Sequence, residues 1–239
     1  MNITMLDFKQ EATAFSDDLI RVRRDLHRHP ELGFQETRTA AVVAESLAGL
    51  GLEVQAGVGQ TGVVALLEGA RPGPTVLLRF DMDALPIQEE STHDYVSTNP
   101  GVMHACGHDG HVAMGLGLAR LFARRQTQMA GSLKFLFQPA EEGLGGALAV
   151  MAGGVLENPR PDVALAMHLW SPVHLGQARV VAGPAMASSS VFTPRPSMIA
   201  AGVSLTSTGP ACMSETRSQR SASFMKWVEM KMVTLSELR

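Results

Sequence analysis

The chain has 239 residues, of which 45% are hydrophobic and 18% charged, and this balance excludes a disordered polar chain. No apolar run approaches the roughly 18 residues of a membrane span, so no membrane partner is expected. The formal net charge of -3 lacks the basic surplus typical of nucleic-acid-binding proteins, which argues against a nucleic-acid partner. The N-terminal segment does not have the pattern of a signal peptide, and a cytoplasmic location is therefore expected.

Apolar periodicity predicts helices and strands that alternate along the chain. Apolar side chains at a spacing near 3.6 residues predict helices over 13–28 and 35–50. Further patterns predict strands over 52–54, 62–67, 75–80, 132–138, 163–168 and 177–181, and helices over 111–125 and 145–152. Continuous apolar strands that alternate with helices predict an α/β fold with a mostly parallel sheet between two layers of helices.

Charged and metal-binding residue types follow several of the predicted strands. Asp81 and Asp83 follow the strand over 75–80, the pair Glu141-Glu142 follows the strand over 132–138, and His168 ends the strand over 163–168. Ligands of such sheets bind beyond the carboxyl ends of the strands, so these side chains are candidates for one site. Simpler interpretations remain open: a turn for the aspartates, a solvated surface pair for the glutamates and a core histidine for His168.

The segment 104–111 concentrates further metal-binding groups. Within eight residues it carries three imidazoles, one thiol and one carboxylate: His104, Cys106, His108, Asp109 and His111. Thiolate and imidazole are ligands of borderline divalent ions such as Zn²⁺, and the density of such groups favours a metal site. The alternative is a helix N-terminus that Asp109 caps, with solvated histidines.

Taken together, these motifs resemble the M20 metallopeptidase family. The similarity lies in the stretches 24–36, 81–86, 104–111, 137–143 and 167–168, within a region from about residue 13 to about residue 193. The most similar branch is that of the amidohydrolases, which includes hippurate hydrolases, N-acyl-L-amino acid amidohydrolases and indole-acetyl-amino acid hydrolases. The resemblance implies a three-layer catalytic domain like that of zinc exopeptidases, and the family is often homo-oligomeric.

The resemblance also implies a dinuclear metal site that hydrolyses the amide bond of N-acyl amino acids. Two divalent ions, manganese or zinc, are expected, and the matching ligands are Cys106, His108, Glu142 and His168. Glu141 matches the general base that activates the attacking water, and Asp83 matches the residue that orients a ligand. The role of Asp81, which replaces a histidine ligand of other branches, stays open. Two alternatives are an inactive fragment that retains a partial metal site and a redox or zinc-binding interaction module.

The last fifth of the chain departs from the family. Residues 191–239 contain six Lys+Arg and three Asp+Glu, a net charge of 6 - 3 = +3, and no histidine. The Gly-Gly-His-Gly-Ala motif of the family's lid domain and a C-terminal histidine ligand are missing. We therefore expect residues 1–190 to be the N-terminal part of a catalytic domain that is truncated or frameshifted near residue 193. Residues 191–239 are expected to be a poorly ordered tail, and without the C-terminal histidine the chain offers one ligand fewer for the two expected ions than the family does.

Overall fold

The computed structural model describes residues 5–169, 178–182 and 228–234. Its helices are α1 Met5–Ala14, α2 Ser16–Arg28, α3 Thr37–Ala48, α4 His108–Ala123 and α5 Gly146–Ala152, with a 3-10 turn at Gln126–Gln128. Its strands are β1 Glu53–Val58, β2 Gly62–Glu68, β3 Arg71–Asp81, β4 Ala130–Gln138, β5 Val163–His168, β6 Ala178–Ala182 and β7 Val228–Thr234. Within these ranges, no helix combines the length and the apolar character that crossing a membrane requires.

The order of elements agrees with the sequence-based prediction, with three local differences. The helix predicted over 13–28 is two helices that meet at Phe15, which is only 3% exposed. Helix α4 begins at His108 rather than at residue 111, because Gly107 adopts a left-handed conformation (φ 85°) immediately before it. Strand β7 was not predicted, and it lies in the segment for which a poorly ordered tail was expected.

The described strands form one seven-stranded sheet in the order β1-β2-β4-β3-β5-β7-β6. The pairs β3–β4, β3–β5 and β6–β7 are parallel, whereas β1–β2, β2–β4 and β5–β7 are antiparallel. The α/β class is confirmed, but the sheet is mixed rather than mostly parallel. Only residues 59–61 connect β1 to β2, whereas a parallel pair needs a crossover connection of a dozen or more residues. The two strands therefore form an antiparallel hairpin.

Helices cover both faces of the sheet. Along β4, Phe135 and Phe137 point to the face that packs against α2, α3 and α4, and Leu136 points to the opposite face. On that opposite face Val150 of α5 and Val155 pack against strand residues. The predicted three layers are therefore present, and the alternation of side chains along each central strand supplies both cores.

The central strands run parallel, so their carboxyl ends lie at the same edge of the sheet. Asp81 of β3 pairs in register with Gln138 of β4, and His168 ends the neighbouring strand β5. Helix α4 packs on β3 and β4 and begins at His108. This arrangement brings the predicted site residues from four separate parts of the chain to one edge.

Candidate metal centre

Four chain segments contribute to a cluster at the carboxyl edge of β3, β4 and β5. Cys106, His108 and His168 have ligand atoms that lie within 4.8 Å of one another, and the Cys106 Sγ to His168 Nε2 distance is 3.4 Å. His108 also lies within 4.8 Å of carboxylate oxygens of Glu141 and Glu142. The four predicted ligands therefore form two overlapping groups that share His108.

Asp83 orients both His108 and Glu142. Nδ1 of His108 lies 2.8 Å from the main-chain oxygen of Asp83 and 3.1 Å from its Oδ1. The other carboxylate oxygen of Asp83 accepts a hydrogen bond of 2.9 Å from the main-chain N–H of Glu142. Because Nδ1 of His108 donates to oxygen, Nε2 is the ring nitrogen that is left to bind a metal ion. The positions of two predicted ligands thus depend on one buried carboxylate.

The donor set fits a divalent cation. Nε2 of His108 is buried and has no hydrogen-bond partner among the described residues, although it points toward carboxylates. Its distance to Oε1 of Glu142 is 4.0 Å. A buried, unpartnered imidazole nitrogen beside a thiol and carboxylates is the arrangement that Zn²⁺ and similar ions bind.

His111 has a different environment from His108, although both lie in the first turn of α4. Nδ1 of His111 donates to Oδ1 of Asp81, and its Nε2 accepts a hydrogen bond of 2.7 Å from the main-chain N–H of Leu169. The other oxygen of Asp81 forms an ion pair of 2.6 Å with Arg79. Both nitrogens of His111 are therefore used within the protein, and the residue supports the end of β5.

The remaining two groups of the segment 104–111, Asp109 and His104, are not part of the cluster. Asp109 accepts hydrogen bonds from Arg23 and His27 rather than capping the helix from its side chain. His104 is buried, and neither ring nitrogen has a hydrogen-bond partner within the described ranges. Burial lowers the pKa of His104 to about 4, so its ring is neutral near pH 7.

Electrostatics at the cluster favour added positive charge. Burial by itself would lower the pKa of His108, but the charges of Asp81 and Asp83 outweigh burial and raise this pKa to about 10. Burial, with the neighbouring His111, lowers the pKa of His168 to about 4, which leaves its ring neutral. The cluster therefore stabilises a cation near His108 and keeps the His168 imidazole in the form that binds metals.

Glu141 is a carboxylate whose pKa differs from its usual value. Burial raises its pKa to about 7, although the guanidinium of Arg79, 3.9 Å from Oε1 of Glu141, opposes this shift. A carboxylate with a pKa close to the surrounding pH can both accept and release a proton. Arg79 was not predicted, because a cation within an otherwise apolar strand gives no signal that identifies its partner.

Glu36 is a second residue that sequence reasoning did not assign. It is completely buried, and its two carboxylate oxygens accept hydrogen bonds from the main-chain N–H of Ala140 (2.8 Å) and from the hydroxyl of Thr61 (2.5 Å). Ala140 precedes Glu141 and has a positive φ of 50°. Glu36 therefore holds the backbone turn that presents the two glutamates. It belongs to the stretch 24–36 of the resemblance, which was the only available signal.

A known protein family matches the part of the chain that contains the residues of this cluster. The model of Peptidase family M20/M25/M40 matches residues 77–235, which is more than half of the chain. The chain belongs to this family. The resemblance stated from the motifs is thus confirmed, and the family match extends into the segment 191–239.

Relatives within this family include several amidohydrolases. The chain is 46% identical over 191 residues to an N-acyl-L-amino acid amidohydrolase of Geobacillus stearothermophilus, covering 80% of this chain and 51% of the relative. It is 41% identical over 180 residues to the N-acetylcysteine deacetylase of Bacillus subtilis, covering 75% and 47%. This M20 chain spans about half the length of the curated relatives it matches.

Among solved structures, the Bacillus subtilis YXEP protein has the same fold. It is described as a dinuclear metal binding peptidase from the M20 family, and it superposes with a TM-score of 0.67 at 40% sequence identity. The match covers 72% of this chain and 48% of the YXEP chain. The α/β/α architecture is therefore that of an M20 catalytic domain.

Proposed function

We propose that this chain carries the metal-binding part of an M20 amidohydrolase that hydrolyses the amide bond of N-acyl amino acids. The observation that carries the proposal is the convergence of Cys106, His108 and His168 with Glu141 and Glu142 at one sheet edge. The names of the amidohydrolase and deacetylase relatives support N-acyl amino acids as the substrate class.

The proposed metal ligands are the four residues named from the sequence: Cys106, His108, Glu142 and His168. Thiolate, imidazole and carboxylate together suit Zn²⁺, and the carboxylate and imidazole ligands also suit Mn²⁺. Divalent ions held there would polarise the amide carbonyl and lower the pKa of the attacking water. The description of the YXEP relative as a dinuclear metal binding peptidase supports a two-ion site.

Glu141 moves the proton in the proposed reaction. One oxygen of its carboxylate accepts a proton from the attacking water, whose oxygen forms the new bond to the acyl carbon. As the amide C–N bond breaks, Glu141 returns this proton to the leaving nitrogen, and the products are a carboxylic acid and an amino acid. Its pKa of about 7 suits both transfers, and Asp83 keeps His108 and Glu142 in place during them.

The test measures metal content and hydrolysis of a simple N-acyl amino acid by the full 239-residue chain. The variant Glu141→Gln is compared with Glu68→Gln, which changes an exposed glutamate at the far end of β2. We expect Glu141→Gln to lower kcat at least about 100-fold while metal content is retained, because general-base catalysis contributes about 100- to 10,000-fold. Glu68→Gln should behave as the wild type.

Two outcomes would contradict parts of this proposal. Metal bound by the wild type without any turnover would favour the alternative of an inactive fragment with a partial metal site. Turnover that survives Glu141→Gln would remove this residue as the general base. The chain spans only about half the length of its relatives, so the first outcome tests whether this half is active by itself.

A further inference from the structure

A second group of metal-binding side chains lies outside the candidate metal centre and shares no residue with it. His27 comes from the last turn of α2, and Glu89 and His93 come from the segment between β3 and α4. One ligand atom from each of the three lies within 4.8 Å of the other two. His27 is fully buried, and the Glu89 side chain is 3% exposed, so the group is not a solvated surface cluster.

The distances within this group match those around a bound cation. Oε1 of Glu89 lies 3.1 Å from Nε2 of His27 and 3.2 Å from Nε2 of His93. Ligand atoms about 2.0–2.1 Å from a tetrahedral Zn²⁺ are separated by about 3.3 Å. The three atoms are therefore already spaced as neighbouring ligands of one ion.

His27 is oriented as a metal ligand from its opposite side. Its Nδ1 lies 2.8 Å from Oδ2 of Asp109, and the same oxygen accepts a hydrogen bond of 2.7 Å from Nε of Arg23. A carboxylate that binds Nδ1 fixes the orientation of the imidazole ring, and in His27 this orientation directs Nε2 toward Oε1 of Glu89. Nε2 of His27 and Oε1 of Glu89 lie at hydrogen-bond distance, so either a proton or a metal ion lies between them.

The other two side chains are also held from outside the group. The second oxygen of Glu89 accepts a hydrogen bond of 2.6 Å from the main-chain N–H of Ser97. The His93 ring stacks on the Tyr95 ring, with centroids 3.8 Å apart and an interplanar angle of 15°. All three side chains are thus fixed by partners that leave the facing ligand atoms directed at one another.

We propose that His27, Glu89 and His93 bind one divalent cation of the zinc class, separate from the candidate metal centre. Two histidines and one glutamate are a donor set that zinc uses in proteins, and an additional position can be filled by water. The His93 side chain is 23% exposed, which gives the ion a route from solvent. The ion would join α2 to the segment around residues 89–97 and, through Asp109, to the first turn of α4.

The test isolates this site by removing the candidate metal centre. In the His108→Gln/His168→Gln double variant, which loses the ligand shared by both groups of that centre, zinc content is measured after chelator treatment and dialysis against micromolar ZnSO₄, and Co²⁺ uptake is followed by its visible absorbance. We expect one ion per chain. Adding His93→Ala should reduce this to none, whereas His29→Ala, a matched change to a half-exposed histidine that contacts Asp25, should leave one ion bound.

Three results would overturn the proposal. One is a double variant that binds no ion, because a proton on His27 would then suffice to hold the group together. Another is a double variant that keeps its ion after His93→Ala. The last is loss of the ion with His29→Ala as well. Far-UV circular dichroism checks that each variant is folded, and His93→Asn, which also removes the ligand atom, replaces His93→Ala if that variant unfolds.

Discussion

The middle and the end of strand β3 are buried to a similar degree, but different forces stabilise them. Leu78 and Phe80 are 8% and 1% exposed, and Asp81 and Asp83 beyond them are 0% and 1% exposed. Burial of the apolar pair stabilises the fold in proportion to the area removed from water. Another apolar side chain of similar volume can therefore replace either residue at little cost. The aspartates are tolerated only because specific cationic or N–H partners face them.

The same contrast holds for the parts that pack on β3. The Phe80 and Phe137 rings stack with centroids 5.2 Å apart, and Gly115 lets α4 approach them closely. At the polar end, Asp109 is fully buried against Arg23 and His27. The apolar layer should therefore respond to changes in volume, whereas the polar layer should respond to the loss of single partners.

The largest effect is expected from Arg23→Met, which leaves the buried Asp109 without its cation. Burial by itself would raise the pKa of Asp109, but the hydrogen bond from His27 and the charge of Arg23 outweigh it and hold this pKa well below its usual value. Breaking a buried pair by removing one partner costs about 3–5 kcal/mol. Urea unfolding at pH 7 measures this loss, with Arg21→Met, at an arginine whose side chain is 71% exposed, as the control.

The pH dependence of Arg23→Met has a defined sign. Because the folded-state pKa of Asp109 is lowered, its contribution to stability is present above the unfolded value near 3.8 and is lost as pH falls toward the folded value. The stability difference between wild type and Arg23→Met should therefore shrink below about pH 4. A difference that stays constant into acid would show that lost packing, and not charge, causes the effect.

Asp83→Ala is expected to weaken metal binding without altering a ligand. Removing the carboxylate leaves Nδ1 of His108 with only the main-chain oxygen of residue 83 and takes the acceptor from the main-chain N–H of Glu142. Loss of such orienting partners typically lowers metal affinity by about 10- to 100-fold. Competition with a chromogenic chelator measures zinc affinity, and Asp17→Ala, at an exposed position of α2, is the control. Equal affinity in wild type and Asp83→Ala would contradict the orienting role.

Two variants of Glu36 test whether the fold needs its hydrogen-bond acceptor or its charge. Glu36→Ala leaves the buried N–H of Ala140 without an acceptor, and the expected loss is about 1–3 kcal/mol of the free energy of unfolding. Burial raises the pKa of Glu36, so removing its charge is not expected to be costly, and Glu36→Gln should lie closer to the wild type. Urea unfolding of both variants checks this order, which the reverse ranking would disprove.

The smallest and most shape-dependent effect is expected in the apolar layer, from alanine at two glycines of α4. A Cβ at Gly115 would lie 2.8 Å from atoms of both Phe80 and Phe137, so Gly115→Ala should cost about 1–3 kcal/mol. The three atoms nearest to a Cβ at Gly117 all belong to Leu19, and the nearest of them, at 2.9 Å, is a movable methyl end. Gly117→Ala should therefore be neutral or stabilise by up to about 1 kcal/mol through helix propensity.

These two alanine variants are measured by thermal unfolding under identical conditions. Both changes remove one glycine from the interior of the same helix, so the gain from helix propensity is common to both. A lower Tm for Gly115→Ala than for Gly117→Ala would therefore report the packing difference alone. Equal Tm values would mean that the aromatic rings move aside as easily as a leucine methyl.

Much of the site could be predicted from sequence because its residues stand at positions that local patterns define. Continuous apolar runs set the central strands, and Asp81, Asp83 and His168 stand where those runs end. The helices, the order of elements and the α/β class followed from the same periodicity. The roles of Glu141, Glu142, Cys106 and His108 came from the family resemblance, and they stay predictions until the experiments above are done.

Tertiary structure alone decided which similar residues have which partners. His108 and His111 are one helical turn apart, yet Asp83 leaves Nε2 of one directed at the site while Asp81 and Leu169 use both nitrogens of the other. Only the fold also set the mixed strand order, the pairing of β7 with β5 and β6, and the bond from Glu36 to Ala140, 104 residues away. Periodicity reports burial along one element, but these partners meet only when distant segments pack together.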